Sequence, residues 1–182
     1  ITTVHAEENR IPVPISQVPQ NLQNAFVAAE DVRFYEHHGV DPRGILRAVF
    51  ANLTSGNATG QGGSTITQQL ARNAFLTQEQ TLKRKLLEVV LAFEIESKYT
   101  KKQILEMYMN QIYFGQGCYG IQTAAHVYFG KDVKDLSLSQ CAMLAGLPNS
   151  PNYYSPFRSL EAAKYRQGIV LDQMAKYGYI SA

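Results

Sequence analysis

The stretch TLKRKLLEVVLAFEIESK, residues 81–98, indicates the fold class of this chain more clearly than any other segment. Its apolar side chains recur at intervals of three and four residues, which is the spacing of one face of an α-helix. That apolar stripe consists of Leu82, Leu86, Val89, Val90 and Phe93. The stretch therefore predicts a long amphipathic helix.

A second face of the predicted helix carries a cation and a carboxylate. It lies about 110° round from the apolar stripe and consists of Lys85, Glu88 and Ala92. One interpretation is an exposed ion pair between residues three apart, which stabilises a helix by only a few tenths of a kcal/mol. The other is a cation and a carboxylate held at the edge of a cleft. The helix alone leaves both interpretations open.

Helical patterns dominate the rest of the chain as well, and alternating strand patterns are nearly absent. The predicted helices cover residues 21–30, 65–74, 100–111, 120–129, 137–146 and 159–177. The chain has 182 residues, of which 45% are hydrophobic and 18% charged, and this is enough for one folded domain with a substantial core. The prediction is a mainly α domain over residues 1–182.

The composition and the motifs exclude several function classes. A net charge of +2 gives no general argument for nucleic-acid binding. Cys118 and Cys141 lack metal-ligand spacing, and we interpret them as buried thiols in preference to a bridge. GQGCYG, residues 115–120, matches the dinucleotide fingerprint but follows a predicted helix where that fingerprint needs a strand. No apolar run reaches the roughly 18 to 20 residues of a membrane span, and the abrupt start at Ile1 fits an excised domain.

Two further stretches concentrate polar side chains. AAEDVRFYEHHGVDPRG, residues 28–44, places Glu30 beside Asp31 and puts His37 shortly before a glycine. By itself it allows an active-site acid or base, a metal site or an ordinary charged helix end. GGSTITQQLARN, residues 62–73, has hydroxyl caps for a helix N-terminus that favours anions, followed by two glutamines and an arginine. A plain capped helix is the alternative for this second stretch.

Together these blocks resemble those of the peptidoglycan glycosyltransferases, the lysozyme-like enzymes found as the N-terminal domain of bifunctional class A penicillin-binding proteins. EDVRFYEHHG looks like the EDxxFxxHxG block of that family, and GGSTITQQLARN resembles its second block almost residue for residue. RKLLE, residues 84–88, opens a third block that continues through SKYTKKQILEMYMNQIYFGQGCYGIQTAAHVYFGK. LSLSQCAMLAGLPNSPNYYSP and YRQGIVLDQMAKYGYIS complete the pattern, in which Arg72 stands where the family often has lysine.

The resemblance implies both a fold and a reaction. The fold is lysozyme-like, with a larger helical head lobe and a smaller membrane-facing jaw lobe whose mobile segment covers about residues 40–63. The reaction joins lipid II units into β-1,4-linked glycan strands and releases undecaprenyl pyrophosphate. By the family match Glu30 is the general base of this inverting transfer. Glu88 is the second carboxylate, which assists the departure of the pyrophosphate.

The resemblance also implies the remaining site residues. Those expected to bind substrate are Ser64, Thr65, Gln68, Gln69, Arg72, Arg84, Lys85 and Arg166. A structural salt bridge is the alternative for the last of these. Asp31 and His37 are expected to hold the loop of Glu30 in place. Because a bare carboxylate would repel a pyrophosphate, we expect a divalent cation, Mg²⁺ or Mn²⁺, between Glu88 and the leaving group.

The expected partners are lipid II, the growing glycan strand, moenomycin-type inhibitors and the extracytoplasmic face of the bacterial cell membrane. GILRAVFANL, residues 44–53, would meet that membrane or form a small satellite core. Two functions compete. A lytic muramidase or transglycosylase is disfavoured by the basic face around Lys85, and a scaffold without catalysis is disfavoured by the presence of Glu30 and Glu88. Neither Ser-x-x-Lys nor Lys-Thr-Gly occurs, so penicillin-binding chemistry is absent from these residues.

Overall fold

The chain is mainly α-helical, as predicted. The computed structural model describes residues 10–47, 63–75 and 82–181. Its α-helices are α1 Gln20–Glu30, α2 (described over residues 42–47), α3 Ile66–Phe75, α4 Leu82–Lys98, α5 Lys101–Gln111, α6 Ile121–Phe129, α7 Leu138–Gly146 and α8 Leu160–Lys176. Short 3₁₀ helices lie at Ile15–Gln17, Val133–Asp135 and Leu147–Asn149. Within the described ranges there is no β-strand, only an isolated antiparallel bridge between Tyr113 and Tyr119.

Polar side chains determine where several helices begin. Thr100 forms a capping box with Gln103 at the start of α5, and Ser137 forms one with Gln140 at the start of α7. In each box the hydroxyl accepts a backbone N–H of the first turn while the glutamine accepts the N–H of the capping residue. The hydroxyl of Ser159 caps α8 in the same way, without the reciprocal bond. These caps satisfy N–H groups that have no partner inside the helix.

Helix α1 lies at the centre of the core. Its apolar residues are almost completely buried, from Leu22 to Ala29. The helix packs against α7 and α8, whereas α3 packs against α4 and α5. Phe26 of α1 meets the ring of Tyr108 in α5 edge to face, with centroids 5.9 Å apart. Helix α1 therefore joins the two groups of helices, and its last residue is Glu30.

Helix α4 buries a different face from its apolar stripe. The side chains that it buries are Glu88, Ala92 and Ile95. The stripe is exposed, with solvent-accessible fractions of 87%, 69%, 60% and 53% for Leu82, Leu86, Val90 and Phe93. A surface helix ordinarily turns its apolar stripe to the core. The predicted pair between Lys85 and Glu88 does form, but its carboxylate is fully buried, so the pair is not the exposed one of the first interpretation.

The GQGCYG stretch connects α5 to α6 and follows a helix, as the sequence predicted. Gly115 and Gly120 have φ angles of 86° and 81°. A Cβ atom on Gly120 would lie 2.8 Å from the carbonyl oxygen of Asn110. The glycines of this stretch therefore allow a tight turn and a close backbone approach.

Both cysteines are buried and free of disulfide bonds, in agreement with the prediction. Burial raises the pKa of Cys141 to about 11. Its thiol is therefore protonated at neutral pH, which suits a small apolar core residue.

The membrane-facing segment predicted at residues 40–63 is described only in part. Ile45 and Leu46 are 38% and 69% exposed, while residues 48–62 lie outside the described residues. Within the described ranges, none of the helices combines the length and the apolar character that a bilayer crossing requires.

Candidate active site

Glu30 is the last residue of α1, and its carboxylate is held from one side only. Glu30 Oε2 accepts a hydrogen bond from Gln69 Nε2 of α3, at 3.0 Å. Glu30 Oε1 is buried and accepts no hydrogen bond from the described residues. One carboxylate oxygen thus keeps its lone pairs for a further donor, such as a substrate hydroxyl.

Burial raises the pKa of Glu30 above its ordinary value. The hydrogen bond from Gln69 opposes that rise, and so do the positive charges of Arg166 and Arg72. The negative charge of Asp31 adds to it. The raised pKa makes Glu30 a stronger proton acceptor than an exposed glutamate, which is the property that general-base catalysis requires.

Tyr108 orients the amide that holds Glu30. Its hydroxyl donates to Gln69 Oε1, at 3.2 Å, so that the amide nitrogen faces Glu30. Burial, and next the charge of Glu30, raise the pKa of Tyr108 well above its ordinary value, so the hydroxyl keeps its proton. Tyr108 was not predicted as a site residue. Its partner Gln69 is 39 positions away in the sequence, so no local pattern links the two residues. The one available signal was the hydroxyl of Tyr108 on a helix face that is otherwise apolar.

Asp31 and His37 connect the residues after Glu30 to the start of α3. His37 Nδ1 accepts the N–H of Gly39 at 3.2 Å, so Nε2 carries the proton and donates to Asp31 Oδ2 at 2.8 Å. Asp31 Oδ2 also accepts the N–H of Ile66, at 3.0 Å. The two residues thus stand where a supporting role would place them, and that role stays a prediction.

Gly39 brings three parts of the site together. Its φ is 94°, and a Cβ atom there would lie 2.9 Å from the carbonyl oxygen of Ala92 in α4. Its own carbonyl oxygen accepts the hydroxyl of Thr65 at 2.6 Å. The glycine therefore allows the loop after Glu30 to pass between α3 and α4, where a larger residue would separate them.

Thr65 and Gln68, which were expected to bind substrate, are almost completely buried in this structure. They are 2% and 1% exposed. Gln68 Oε1 accepts the N–H of Thr65 at 3.0 Å, and Thr65 Oγ1 accepts the N–H of Gln68 at 3.1 Å. This reciprocal pair is the capping box of α3, so both side chains are occupied with the helix end.

Glu88 of α4 is fully buried and surrounded by cations. Lys85 Nζ lies 2.8 Å from Glu88 Oε2, and Arg84 Nε lies 3.3 Å from Glu88 Oε1. Arg72 Nη1 of α3 is 4.0 Å from the same Oε1. Lys85 Nζ also donates to the hydroxyl of Ser64, at 2.8 Å. Glu88 therefore gathers three positive side chains from two helices beside the start of α3.

Arg72 links the two carboxylates. It lies 4.0 Å from Glu88, and its charge also lowers the pKa of Glu30. The structure thus brings most of the predicted residues into one cleft. They are Glu30, Glu88, Ser64, Gln69, Arg72, Arg84 and Lys85.

Arg166 contributes a positive charge from the opposite helix group. It belongs to α8, is 3% exposed, and donates from Nε to the carbonyl oxygen of Gly146 at 3.4 Å. A Cβ atom on Gly146 would lie 2.9 Å from Arg166 Cγ, so the glycine makes room for the arginine. Because its charge lowers the pKa of Glu30, Arg166 belongs to the surroundings of that carboxylate.

A hydrogen-bonded hub that the sequence did not indicate fixes α3, α4 and α5 relative to one another. Glu96 Oε1 accepts the hydroxyl of Thr67 at 2.6 Å and the ammonium of Lys101 at 2.7 Å. Lys101 Nζ also lies 4.6 Å from the centre of the Phe34 ring. The hub stabilises the packing of the helix that carries Glu88 on the helix that carries Gln69 and Arg72.

The chain is similar to known proteins over almost its whole length. The family described as Transglycosylase matches residues 1–175. The chain is 52% identical over 177 residues to penicillin-binding protein 1A of Escherichia coli (strain K12), covering 97% of the chain and 21% of that protein. It is 50% identical over 175 residues to penicillin-binding protein 1F of Bacillus subtilis (strain 168), covering 96% of the chain and 24% of that protein. The chain thus spans less than a quarter of the length of these relatives.

A solved structure shows the same fold. The crystal structure of penicillin-binding protein 1A from Haemophilus influenzae superposes with a TM-score of 0.53 at 27% identity, covering 94% of this chain and 16% of that one. The mainly α, lysozyme-like fold expected from the sequence is therefore confirmed. The chain belongs to the transglycosylase family, the peptidoglycan glycosyltransferase family that its sequence blocks indicated.

Proposed function

We propose that this chain polymerises lipid II into β-1,4-linked glycan strands of peptidoglycan and releases undecaprenyl pyrophosphate. The observation that supports the proposal best is a pair of carboxylates in one cluster, the half-buried Glu30 and the fully buried Glu88, with Arg72 between them. Glu30 has a neutral amide partner and a raised pKa, while Glu88 is surrounded by cations. A transfer from a pyrophosphate donor needs a base at one end and positive charge at the other.

Glu30 is the proposed general base. Its free Oε1 would accept the proton of the acceptor 4-hydroxyl while that oxygen forms a bond to C1 of the growing strand. The bond between C1 and the pyrophosphate oxygen breaks in the same displacement, so an α-linked donor gives a β linkage. Gln69, oriented by Tyr108, would keep the carboxylate in place during the transfer. The charges of Arg166 and Arg72 would limit the rise of its pKa and so favour the ionised form, which accepts the proton.

The cations around Glu88 are the proposed site for the leaving pyrophosphate. Arg84, Lys85 and Arg72 would contact its oxygens and offset the negative charge that develops there. Glu88 would act by holding these side chains in position, since without a buried carboxylate they would repel one another. Ser64, bonded to Lys85, would extend the same donor set.

The divalent cation expected from the family resemblance stays a prediction. The donors around Glu88 do not fit an ion held by the protein, because one carboxylate faces three cations within 4.0 Å. The described residues also contain no group of three His, Cys, Asp or Glu side chains suited to a metal. An ion here would be held mainly by the pyrophosphate itself. No step of the proposed reaction needs it, because the cations already offset the charge of Glu88.

The exposed apolar stripe of α4 suits a substrate with a lipid tail. Leu82, Leu86, Val90 and Phe93, together with Leu46 of α2, are all more than half exposed. Such side chains would favour contact with a bilayer surface, where undecaprenyl-linked substrates lie. We propose the extracytoplasmic face of the bacterial cell membrane as the place of action. A moenomycin-type phosphoglycolipid would bind the same cleft.

The test is incubation with purified lipid II in detergent, with and without Mg²⁺, followed by separation of the products by size. We expect a ladder of polymers, and a loss of rate of about 10²- to 10⁴-fold in Glu30→Gln. Glu94→Gln is the matched control, since Glu94 lies on the exposed side of α4 and pairs only with Lys98 in the described contacts. Cleavage of preformed strands without polymerisation would instead indicate a lytic enzyme. Equal rates in the wild type and Glu30→Gln would remove Glu30 as the base.

A further inference from the structure

A groove lined by tyrosines lies at the start of α8. It has a volume of about 390 Å³, and its lining residues are Tyr153, Tyr154, Ser159, Glu161, Ala162 and Tyr165. We call it the tyrosine groove. The aromatic residues come partly from the loop after the 3₁₀ helix Leu147–Asn149 and partly from the first turns of α8. None of the proposed steps of the transfer uses it.

The rings of the tyrosine groove are unusually accessible. Tyr153 and Tyr165 are 54% and 68% exposed. Tyr153 packs edge to face on Tyr154, with ring centroids 5.0 Å apart. Tyrosine side chains offer a large contact area at a low cost in conformational entropy. Ligand sites combine such apolar walls with a few polar groups, here Ser159 and Glu161.

A buried arginine lies between the tyrosine groove and the surroundings of Glu30. The guanidinium of Arg166 lies over the ring of Tyr154, 5.7 Å from its centre. The charge of the same arginine acts on Glu30. Arg166, which is 3% exposed, therefore contacts one residue of the groove lining and also belongs to the surroundings of the proposed base.

The lining favours a neutral, hydroxylated ligand. Of the six lining residues, one is anionic and none is cationic. Glu161 would therefore repel an anionic membrane surface or an acidic peptide. A sugar ring has one face of C–H groups that packs on an aromatic ring, and hydroxyls that donate to carboxylate and hydroxyl oxygens. The groove and the apolar stripe lie on helices with different neighbours. Helix α8, which carries part of the groove, packs against α1 and α7, whereas α4, which carries the exposed apolar stripe, packs against α3 and α5.

We propose that the tyrosine groove is a saccharide subsite that holds sugar units of the growing glycan strand outside the reaction centre. The proposal rests on the proposed glycosyltransferase function. Tyr153 and Tyr165 would supply the stacking surfaces, and Glu161 would accept hydrogen bonds from sugar hydroxyls. A strand held here dissociates more slowly between successive additions, so the groove favours long products.

The absence of tryptophan from the chain gives a direct binding test. Tyr165→Trp places a single indole in the groove, and Tyr177→Trp at the other end of α8 is the matched control. Peptide-free β-1,4-linked glycan hexasaccharide should change the fluorescence of Tyr165→Trp saturably, and the disaccharide should bind much more weakly. Adding Tyr153→Ala should weaken hexasaccharide binding about five- to tenfold. The absence of a saturable change, an equal change at Tyr177→Trp, or a response to free stem peptide alone would overturn the proposal.

The length of the product strands separates this proposal from the proposed function. In the lipid II assay, the double variant Tyr153→Ala with Tyr165→Ala should make strands about threefold shorter on average, because faster dissociation ends each strand earlier. Tyr177→Ala should keep the wild-type length. If the wild type polymerises and the double variant makes strands of wild-type length, the subsite is wrong while the function stands. If the wild type makes no polymer from lipid II, the proposed function itself fails.

Discussion

Glu30 and Glu88 are the same residue type in one cleft, yet their surroundings differ in kind. Glu30 accepts one hydrogen bond from a neutral amide, and its Oε1 has no donor among the described residues. Glu88 has an ammonium and two guanidinium groups within 4.0 Å. Burial therefore opposes the charge of the first carboxylate, while cations compensate the charge of the second. Two carboxylates with one intrinsic chemistry thus have different surroundings, which suits the different tasks proposed for them.

The largest expected effect on the stability of the protein tests that difference. Glu88→Gln should lower the free energy of unfolding by about 2 kcal/mol, because it leaves three cations without their buried counter-charge. This is less than for a fully buried pair, since the side chains of Lys85 and Arg72 are 46% and 35% exposed. Glu30→Gln should cause no loss, because it removes a carboxylate that burial disfavours and keeps an amide of the same shape.

Urea unfolding of both variants at pH 7.5 checks this prediction, with equal m-values required for the comparison. Glu94→Gln again serves as the control for loss of an exposed carboxylate in α4. Equal losses in Glu30→Gln and Glu88→Gln would mean that the two carboxylates are held alike, and the assignment of separate roles would then lose its basis.

The dependence of stability on pH sharpens the comparison. The pKa of Glu30 is raised above 4.5 in the folded state. The stability that Glu30 contributes is therefore fully present below pH 4.5 and is lost as the pH rises through the pKa of the folded state. The Tm of Glu30→Gln should therefore equal that of the wild type near pH 4.5 and exceed it increasingly at higher pH. The acid limb of kcat/KM for lipid II should likewise lie above pH 4.5.

The pKa of Glu94 is shifted in the opposite direction, because the hydrogen bond from Lys98 lowers it. The stability that Glu94 contributes is therefore present above pH 4.5 and is lost as the pH falls through the pKa of the folded state. The Tm of Glu94→Gln should therefore fall slightly below that of the wild type at neutral pH and approach it in acid. Parallel curves for the two variants would show that the pKa of Glu30 is not raised in the folded protein.

The sequence predicted the class of fold, which is confirmed, and it indicated Glu30 and Glu88, whose roles stay predictions. It did not indicate the direction in which α4 faces. Helical periodicity marks an apolar stripe without stating what covers it, and Leu82, Leu86 and Val90 follow the pattern of a core helix while lying exposed. Helix α4 can bury Glu88 because Lys85 and Arg84 of the same helix, together with Arg72 of α3, offset the cost of burying its charge. The two partners within α4 are visible in the local sequence, but the packing of α3 on this face of the helix is not.

The stretch GGSTITQQLARN shows a second case in which the sequence did not indicate how side chains are used. Ser64 and Thr65 were both suitable caps for α3, and the structure uses Thr65 with Gln68 as the capping box. Ser64 is thereby left for Lys85. The spacing of a hydroxyl and a glutamine three residues on was visible in the sequence. That it removes Thr65 and Gln68 from the cleft lining follows only from the packing of the loop at Gly39 on the helix end.

Tyr108 allows the most specific test. Tyr108→Phe removes the donor that keeps the oxygen of the Gln69 amide away from Glu30. The amide then holds the carboxylate less firmly, and because its hydrogen bond lowers the pKa of Glu30, the acid limb of kcat/KM should move to higher pH. We expect kcat/KM at neutral pH to fall about three- to tenfold, and the stability to fall by about 1 kcal/mol for the lost hydrogen bond.

Tyr128→Phe is the matched control, because that hydroxyl donates to the carbonyl oxygen of Phe114 at 2.7 Å and has no contact with Gln69 or Glu30 in the described structure. It should cost similar stability without moving the acid limb. If both variants moved the limb equally, the shift would reflect general loosening of the core. If neither moved it, Gln69 would not depend on Tyr108, and the neutral partner of Glu30 would be held by the packing of α3 alone.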